Sequence, residues 1–232
     1  MKMKNILAIA VLAAMPLSAL AASDKADLDQ RIDNAKNVIN EIMQTPDKGV
    51  PDSVMRNATC VAVVPSLKKA AFIVGGQYGQ GVVTCKTSTG WSAPVFIRMA
   101  GGSWGLQIGA QGTDLVLIAV NERGMQDLLK SKFKIGADAA ATAGPVGRNA
   151  EASTDWKLNA ELLTYSRSKG LLVGIDLDGT SVSQNTEDTD EYYGAAHPAR
   201  EILNGTVPAP ASAQAFVDTV AQFSRRALEA QR

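Results

Sequence analysis

The chain has 232 residues, 46% hydrophobic and 20% charged, with 23 Lys plus Arg against 23 Asp plus Glu. That balance excludes general nucleic-acid affinity, which needs a marked basic excess. No metal site is expected, because with His197 the only histidine its ligands would have to be mostly carboxylates.

Lys2 and Lys4 form a positive start, Ile6 to Met15 an apolar run, and Ala19-Leu20-Ala21 an A-x-A cleavage signal. The expectation is a signal peptide over 1–21 and an exported, periplasmic protein, soluble or peripherally attached to a membrane. The first cysteine is Cys60, so no lipid-modified cysteine stands at the cleavage point. Without Lys2 and Lys4, 21 basic residues face 23 acidic ones, a net charge of −2.

Ser23 or Asp24 is placed to cap a helix running to about Thr45, where Pro46 stops it. Leu28, Ile32, Ala35, Ile39, Ile42 and Met43 share one face, with Asp27, Arg31, Asn34 and Lys36 largely away from it. Mixed charges on that polar side favour docking on a sheet over lying on anionic lipid. Pro51-Asp52-Ser53 starts a short helical turn, and Cys60 to Pro65 reads as a buried strand closed by proline.

From Ala71 to Asn121, short runs rich in Val, Ile and Phe alternate with Gly, Ser and Gln, which predicts strands and tight turns. The glycine density predicts bulges, bends or close backbone approach. Cys60 and Cys85 both fall in predicted strands; they form a disulfide if those strands are neighbours, and otherwise stay as two buried thiols.

Glu122 to Lys130 predicts a short helix, and Gly136 to Arg148 is made of small residues suited to close packing. Ala160 to Ser183 reads as a strand, a turn at Lys169-Gly170 and another strand, with Asp178-Gly179 reversing a hairpin. Acidic residues after Gln184 read as a loop or helix start, and His197 to Gly205 as a helix. The domain is expected over 22–205, followed over 206–232 by a Pro/Ala linker and an amphipathic helix. That helix carries an apolar stripe of Phe216, Val220, Phe223 and Ala227. The fold class is α+β: a curved, mostly antiparallel, glycine-rich sheet or partial barrel with helices at both ends of the chain.

Three motifs invite a catalytic or phosphate-binding reading and fail it. Asp176-Leu177-Asp178-Gly179-Thr180 resembles the nucleophile motif of haloacid-dehalogenase-type phosphatases, but no lysine follows Lys169 and a strand follows the motif where a helix should start. Gly75 to Gly81 and Gly144 to Arg148 lack the helix that a dinucleotide fingerprint requires. His197 precedes Pro198 at a helix start and has no evident nucleophile to serve. No catalytic residues and no cofactor are assigned.

The segments CVAVVPSLKKAAFIVGGQYGQGV, GWSAPVFI, GGSWGLQIGAQGTDLVLIAVN, GADAAATAGPVGR and YSRSKGLLVGIDLDGTSVS, with EYYG, resemble the SYLF family over roughly Ile32 to Leu203. The resemblance implies membrane binding: eukaryotic members associate with phosphoinositides through a basic amphipathic region, some bind actin, and bacterial members are exported. This chain lacks an SH3 domain, and its first helix lacks a cationic face. Anionic phospholipid or lipopolysaccharide head groups are the expected ligands, met by Lys68, Lys69, Lys130, Lys132 and Lys134, with Arg148, Arg167 and Lys169 in second rank. The alternative is an envelope-stress or interaction protein whose partner is another protein, reached through the terminal helix.

Overall fold

The computed structural model describes residues 24–45, 49–71, 74–104, 111–146, 161–168, 171–172, 175 and 177–230. The expected signal peptide over 1–21, Arg148, Lys169, Gly170 and Asp176 lie outside them. Helix α1 spans Lys25–Met43, and its Asp24 N-cap side chain accepts from the Ala26 N–H. Leu28, Ile32, Ala35, Val38, Ile39 and Ile42 are buried, so the expected stripe docks with Val38 added to it and Met43 only partly buried at its end. Helix α2 spans Asp52–Asn57.

Strands β1 (Cys60–Ala71), β2 (Val74–Cys85), β3 (Val95–Trp104) and β4 (Gln111–Ala119) supply most of the sheet. β1 pairs with β2, β2 with β3, and β4 returns to lie antiparallel beside β1. That order is a Greek key. After α3 (Glu122–Leu129) come β5 (Lys132–Lys134), β6 (Ala141–Ala143), β7 (Leu162–Ser168), β8 (Leu171–Leu172) and β9 (Ser181–Gln184). The full order is β5-β9-β3-β2-β1-β4-β7-β6, with β8 off the path on β7. Among the described strands every pairing is antiparallel except that of β6 with β7.

The sheet curls into a half-barrel covered on both faces. Val61, Val63, Val82, Phe96, Val116 and Ile118 meet α1 and the terminal helix. Cys60, Ala62, Val64, Val83, Leu115 and Leu117 face a second core closed by Leu128, Phe133 and Leu177. A strand buried on both sides has no polar face to show, which is why CVAVV reads as an unbroken apolar run.

Two expectations need correction. Pro65 does not close β1; the strand continues to Ala71 through a bulge, where the register to β2 shifts between Val63 and Lys68. Proline lacks a ladder N–H and is tolerated within a sheet at such a bulge. Ser66 takes φ +54° there, its N–H held by Asp114 Oδ1 at 3.0 Å. The partner strand must come close: a Cβ on Gly81 would stand 2.0 Å from the Val63 carbonyl oxygen. Asp178-Gly179 does form a turn, closed by Thr180 N–H to the Leu177 carbonyl at 2.9 Å with Gly179 at φ +80°. It reverses no hairpin, because β9 crosses to pair with β3 and β5.

Helices α4 (Thr186–Tyr193), α5 (Ala199–Leu203) and α6 (Ala211–Glu229) complete the described chain. The stripe on α6 is not presented to a partner: Phe216, Val217, Val220, Phe223 and Ala227 are buried against the core shared with α1 and α2. Phe216 is fully buried, so Phe216→Ala is expected to cost about 3–5 kcal/mol. Thermal and urea unfolding of the variant check it, and a near-neutral result would mean that α6 is not part of this core.

Cys60 and Cys85 are register partners with Cα atoms 4.0 Å apart, and they form a buried disulfide. The bond closes a separation of 25 residues. Replacing both with alanine is expected to lower the unfolding free energy by about 3 kcal/mol through loop entropy. The urea midpoint reads this, and an unchanged midpoint would remove the bond from the account of stability.

Candidate functional site

The bulge decides which lysines share a face. Ala62 and Val64 point into the barrel; after the bulge Leu67 points inward and Lys68 outward. In-register partners in an antiparallel ladder carry their side chains on the same side. Lys68 stands opposite Tyr78, Tyr78 opposite Ala100, Ala100 opposite Ser181, and Ser181 opposite Lys134. One residue-pair along, Gln80, Arg98, Ser183 and Lys132 form a parallel row on that same side. Lys68, Lys132 and Lys134 are exposed, as are Gly76, Ala100, Gly102 and Gly112 on the same side. Tyr78 is 47% exposed and is the large apolar-bodied side chain of this surface.

Three of the five first-rank lysines therefore share one outer face. Across four strand spacings, Lys68 and Lys134 are about 19 Å apart along the sheet. The other two are placed differently. Lys69 is opposite Gln77, which is 4% exposed on the inner side. Lys130 follows α3 and bonds the Asp127 carboxylate at 2.6 Å. That hydrogen bond, with the attraction of the same carboxylate, raises the Lys130 pKa. Arg167 is engaged by Glu41 of α1 and by Asp114 at 3.1 Å, which ties α1 to β4 and β7. Arg148 and Lys169 lie outside the described residues.

A buried polar network anchors α1 over this sheet. Arg31 donates to Asp188 of α4 and lies 5.6 Å from the centre of the Phe96 ring. Asn185 donates to the same carboxylate at 2.5 Å, and Arg98 donates to Asn185 Oδ1 at 2.7 Å. Phe96 meets Tyr192 edge-on at 5.2 Å, and Tyr192 meets Tyr193 at 5.3 Å. Burial pushes the hydroxyls of Tyr165, Tyr192 and Tyr193 above their ordinary pKa. The sequence gives no local sign of the Arg31–Asp188 pair, whose members are 157 residues apart.

His197 stacks edge-on against Tyr193 at 5.9 Å and makes no hydrogen bond with another described residue. Asp178 caps no strand-to-helix turn, since β9 follows it. Among the described residues no group of three or more His, Cys, Asp or Glu is placed to hold a metal ion, and no helix is long and apolar enough to cross a membrane.

Architecture and surface define an α+β domain of the helix-backed half-barrel class, with its polar features on the outside of the sheet. Residues 100–223 match the family described as Ysc84, Las17-binding protein actin regulator. The chain is 34% identical over 183 residues to SH3 domain-containing YSC84-like protein 1 of Rattus norvegicus, covering 78% of this chain and 54% of that protein. It is 32% identical to the Homo sapiens protein of the same name, with 78% and 53% covered. It is also 32% identical over 171 residues to Protein YSC84 of Saccharomyces cerevisiae, covering 72% of this chain and 36% of the yeast protein. The chain belongs to the Ysc84 family, the SYLF family to which its motifs point. It spans about half the length of the animal relatives it matches. The words Las17-binding and actin regulator belong to the description of the family.

Asp188 is 4% exposed. Arg31→Met is expected to destabilise the fold by about 3 kcal/mol, because it leaves a buried carboxylate short of its cation. Adding Asp188→Asn should recover part of that loss. A double-mutant cycle with no coupling energy would show that the pair does not anchor α1.

Proposed function

We propose that this protein is an exported, non-catalytic, peripheral membrane-binding module that recognises anionic phospholipid head groups. The observation that carries the reading is the strand register. It gathers Lys68, Lys132 and Lys134 on one outer face around the exposed Tyr78, among residues with little or no side chain. Small residues let a flat lipid surface approach the backbone closely. Each lysine near an anionic surface contributes about 1 kcal/mol, so three acting together give measurable affinity. A tyrosine sits well at a membrane–water interface, with its ring in the apolar layer and its hydroxyl wet.

A second reading takes its support from the family, which is described as Las17-binding and as an actin regulator. In this reading the ligand is a protein. Since the stripe of α6 is buried, the partner would meet the outer side of that helix, where Leu228 is 47% exposed beside Arg225 and Arg226.

The test is co-sedimentation of the chain from Ala22 onward with phosphatidylglycerol or phosphatidylcholine vesicles. The first reading expects binding to the anionic vesicles only, weakened by salt. Lys68→Glu with Lys132→Glu and Lys134→Glu should reduce it by about 100-fold or more. Lys130→Glu should do less, because Asp127 already neutralises that cation. Binding indifferent to salt and to the triple change would reject the face. A protein that ignores both vesicles leaves the second reading standing, and Leu228→Glu with Arg226→Glu then tests it.

A further inference from the structure

Beside the cationic face, α1 and the β1–β2 ribbon enclose an open cleft of about 330 Å³. This is the lower end of the range for small-molecule sites, about 300–1,000 Å³. Asp27, Gln30 and Asn34 face it from one side of α1 at helical spacing, and Lys68, Tyr78 and Gln80 face it from the sheet. The side chains of all six form no hydrogen bond or ion pair with another described residue. The cleft thus collects an aromatic ring, three carboxamides, one carboxylate and one ammonium, their polar groups without a partner among the described residues.

Both walls are held in place. Arg31 lines the cleft but is fixed by Asp188 and by the Phe96 ring. Ser66 lines it in a left-handed backbone conformation pinned by Asp114. Gly79, also on the wall, admits no side chain, since a Cβ there would come within 2.6 Å of Val64. The cleft is therefore formed before any ligand arrives.

Its chemistry selects among ligands. An acyl chain needs an apolar lining, and here Pro65 and Gly79 are the non-polar wall residues beside the tyrosine. A polyphosphate needs several free cations, whereas Arg31 is already neutralised and Asp27 would repel it. Carboxamides and a carboxylate, each with two polar atoms in a plane, suit pairs of neighbouring hydroxyls. A flat exposed aromatic ring suits the C–H face of a sugar. We propose that this cleft binds a saccharide unit bearing one acidic substituent, stacked on Tyr78 with its hydroxyls read by Asp27, Gln30, Asn34 and Gln80. Lys68 receives the acidic group. The saccharide is either free or the head group of a glycolipid.

The inference goes beyond the membrane reading, and its first test uses no phospholipid. Methyl glucuronide and methyl glucoside are titrated into the chain from Ala22 onward by calorimetry and by saturation-transfer NMR. Saturable binding of the glucuronide is expected, weakened about tenfold or more by Tyr78→Ala, as loss of a single well-packed contact allows. Tyr78 is exposed, so this variant should keep its fold, and Gln30→Ala with Asn34→Ala gives an independent check. Lys68→Gln should weaken the glucuronide and leave the glucoside unchanged. Phosphatidylcholine vesicles with glucuronosyl diacylglycerol then separate a lipid source from a free one, since either form of binding supports the cleft. No saturable binding of either probe, in solution or on vesicles, overturns the proposal. So does binding unchanged by Tyr78→Ala, or displacement of the glucuronide by inorganic phosphate when the glucoside does not bind. Failure of phosphatidylglycerol binding overturns the membrane reading alone.

Discussion

The rest of the structure depends on one bulge in its central strand. β1 is hydrogen-bonded on both edges, to β2 and β4, and both registers shift at the same place, between Val63 and Lys68 on one side and Val64 and Leu67 on the other. Side chains alternate strictly along a strand, so one extra residue exchanges the faces of everything beyond it. Without the bulge, Leu67 would face solvent and Lys68 would point into the barrel. With it, Leu67 is fully buried and Lys68 is exposed. Pro65, Ser66, Asp114, Gly79 and Gly81 are local adaptations to that single irregularity: a residue without an N–H, a strained serine, its carboxylate anchor and two residues without side chains.

Much of the fold was legible in the sequence, for reasons that differ by element. α1 and the terminal helix carry strong apolar periodicity, and periodicity survives any tertiary context that buries one face. The four long strands were legible from β-branched runs punctuated by glycine. The disulfide stayed open because pairing depends on register between strands, which no local pattern supplies. The sequence reading of Pro65 as a strand end gave too much weight to the missing N–H and too little to the apolar Leu67 beyond it. Asp178-Gly179 was read correctly as a turn but wrongly as a hairpin, because nothing local shows that β9 pairs with β3 and β5 instead of the strand before it.

The candidate site was legible in residue type but not in grouping. Lys130, Lys132 and Lys134 look alike in the sequence, yet the first is held by Asp127 and the others stand free of it on β5. Lys68 and Lys69 are neighbours that the strand sends to opposite sides. In the sequence Arg31 is part of the polar side of α1 and Arg167 a second-rank lipid-binding candidate; both are drawn into long-range ion pairs that fasten α1 to the sheet and to α4. The cleft on α1 was invisible because half its wall comes from residues more than thirty positions away in the chain.

β1 also separates a covered part of the sheet from the proposed binding face along its length. Its start is joined covalently to β2 at Cys60–Cys85 and covered on both faces by apolar side chains. Its end, about 26 Å further on at 3.3 Å per residue, carries Lys68 at the open cleft beside α1. Continuous hydrogen bonding to β2 and β4 on both sides of the bulge makes the two ends one rigid body, although the helices cover only the first. A glycine-rich surface would be a poor platform if it were a loop, since glycine loses the most backbone freedom on ordering. Held in the middle of a half-barrel, that cost is met during folding, and a ligand at the proposed face or cleft would have only side chains left to order.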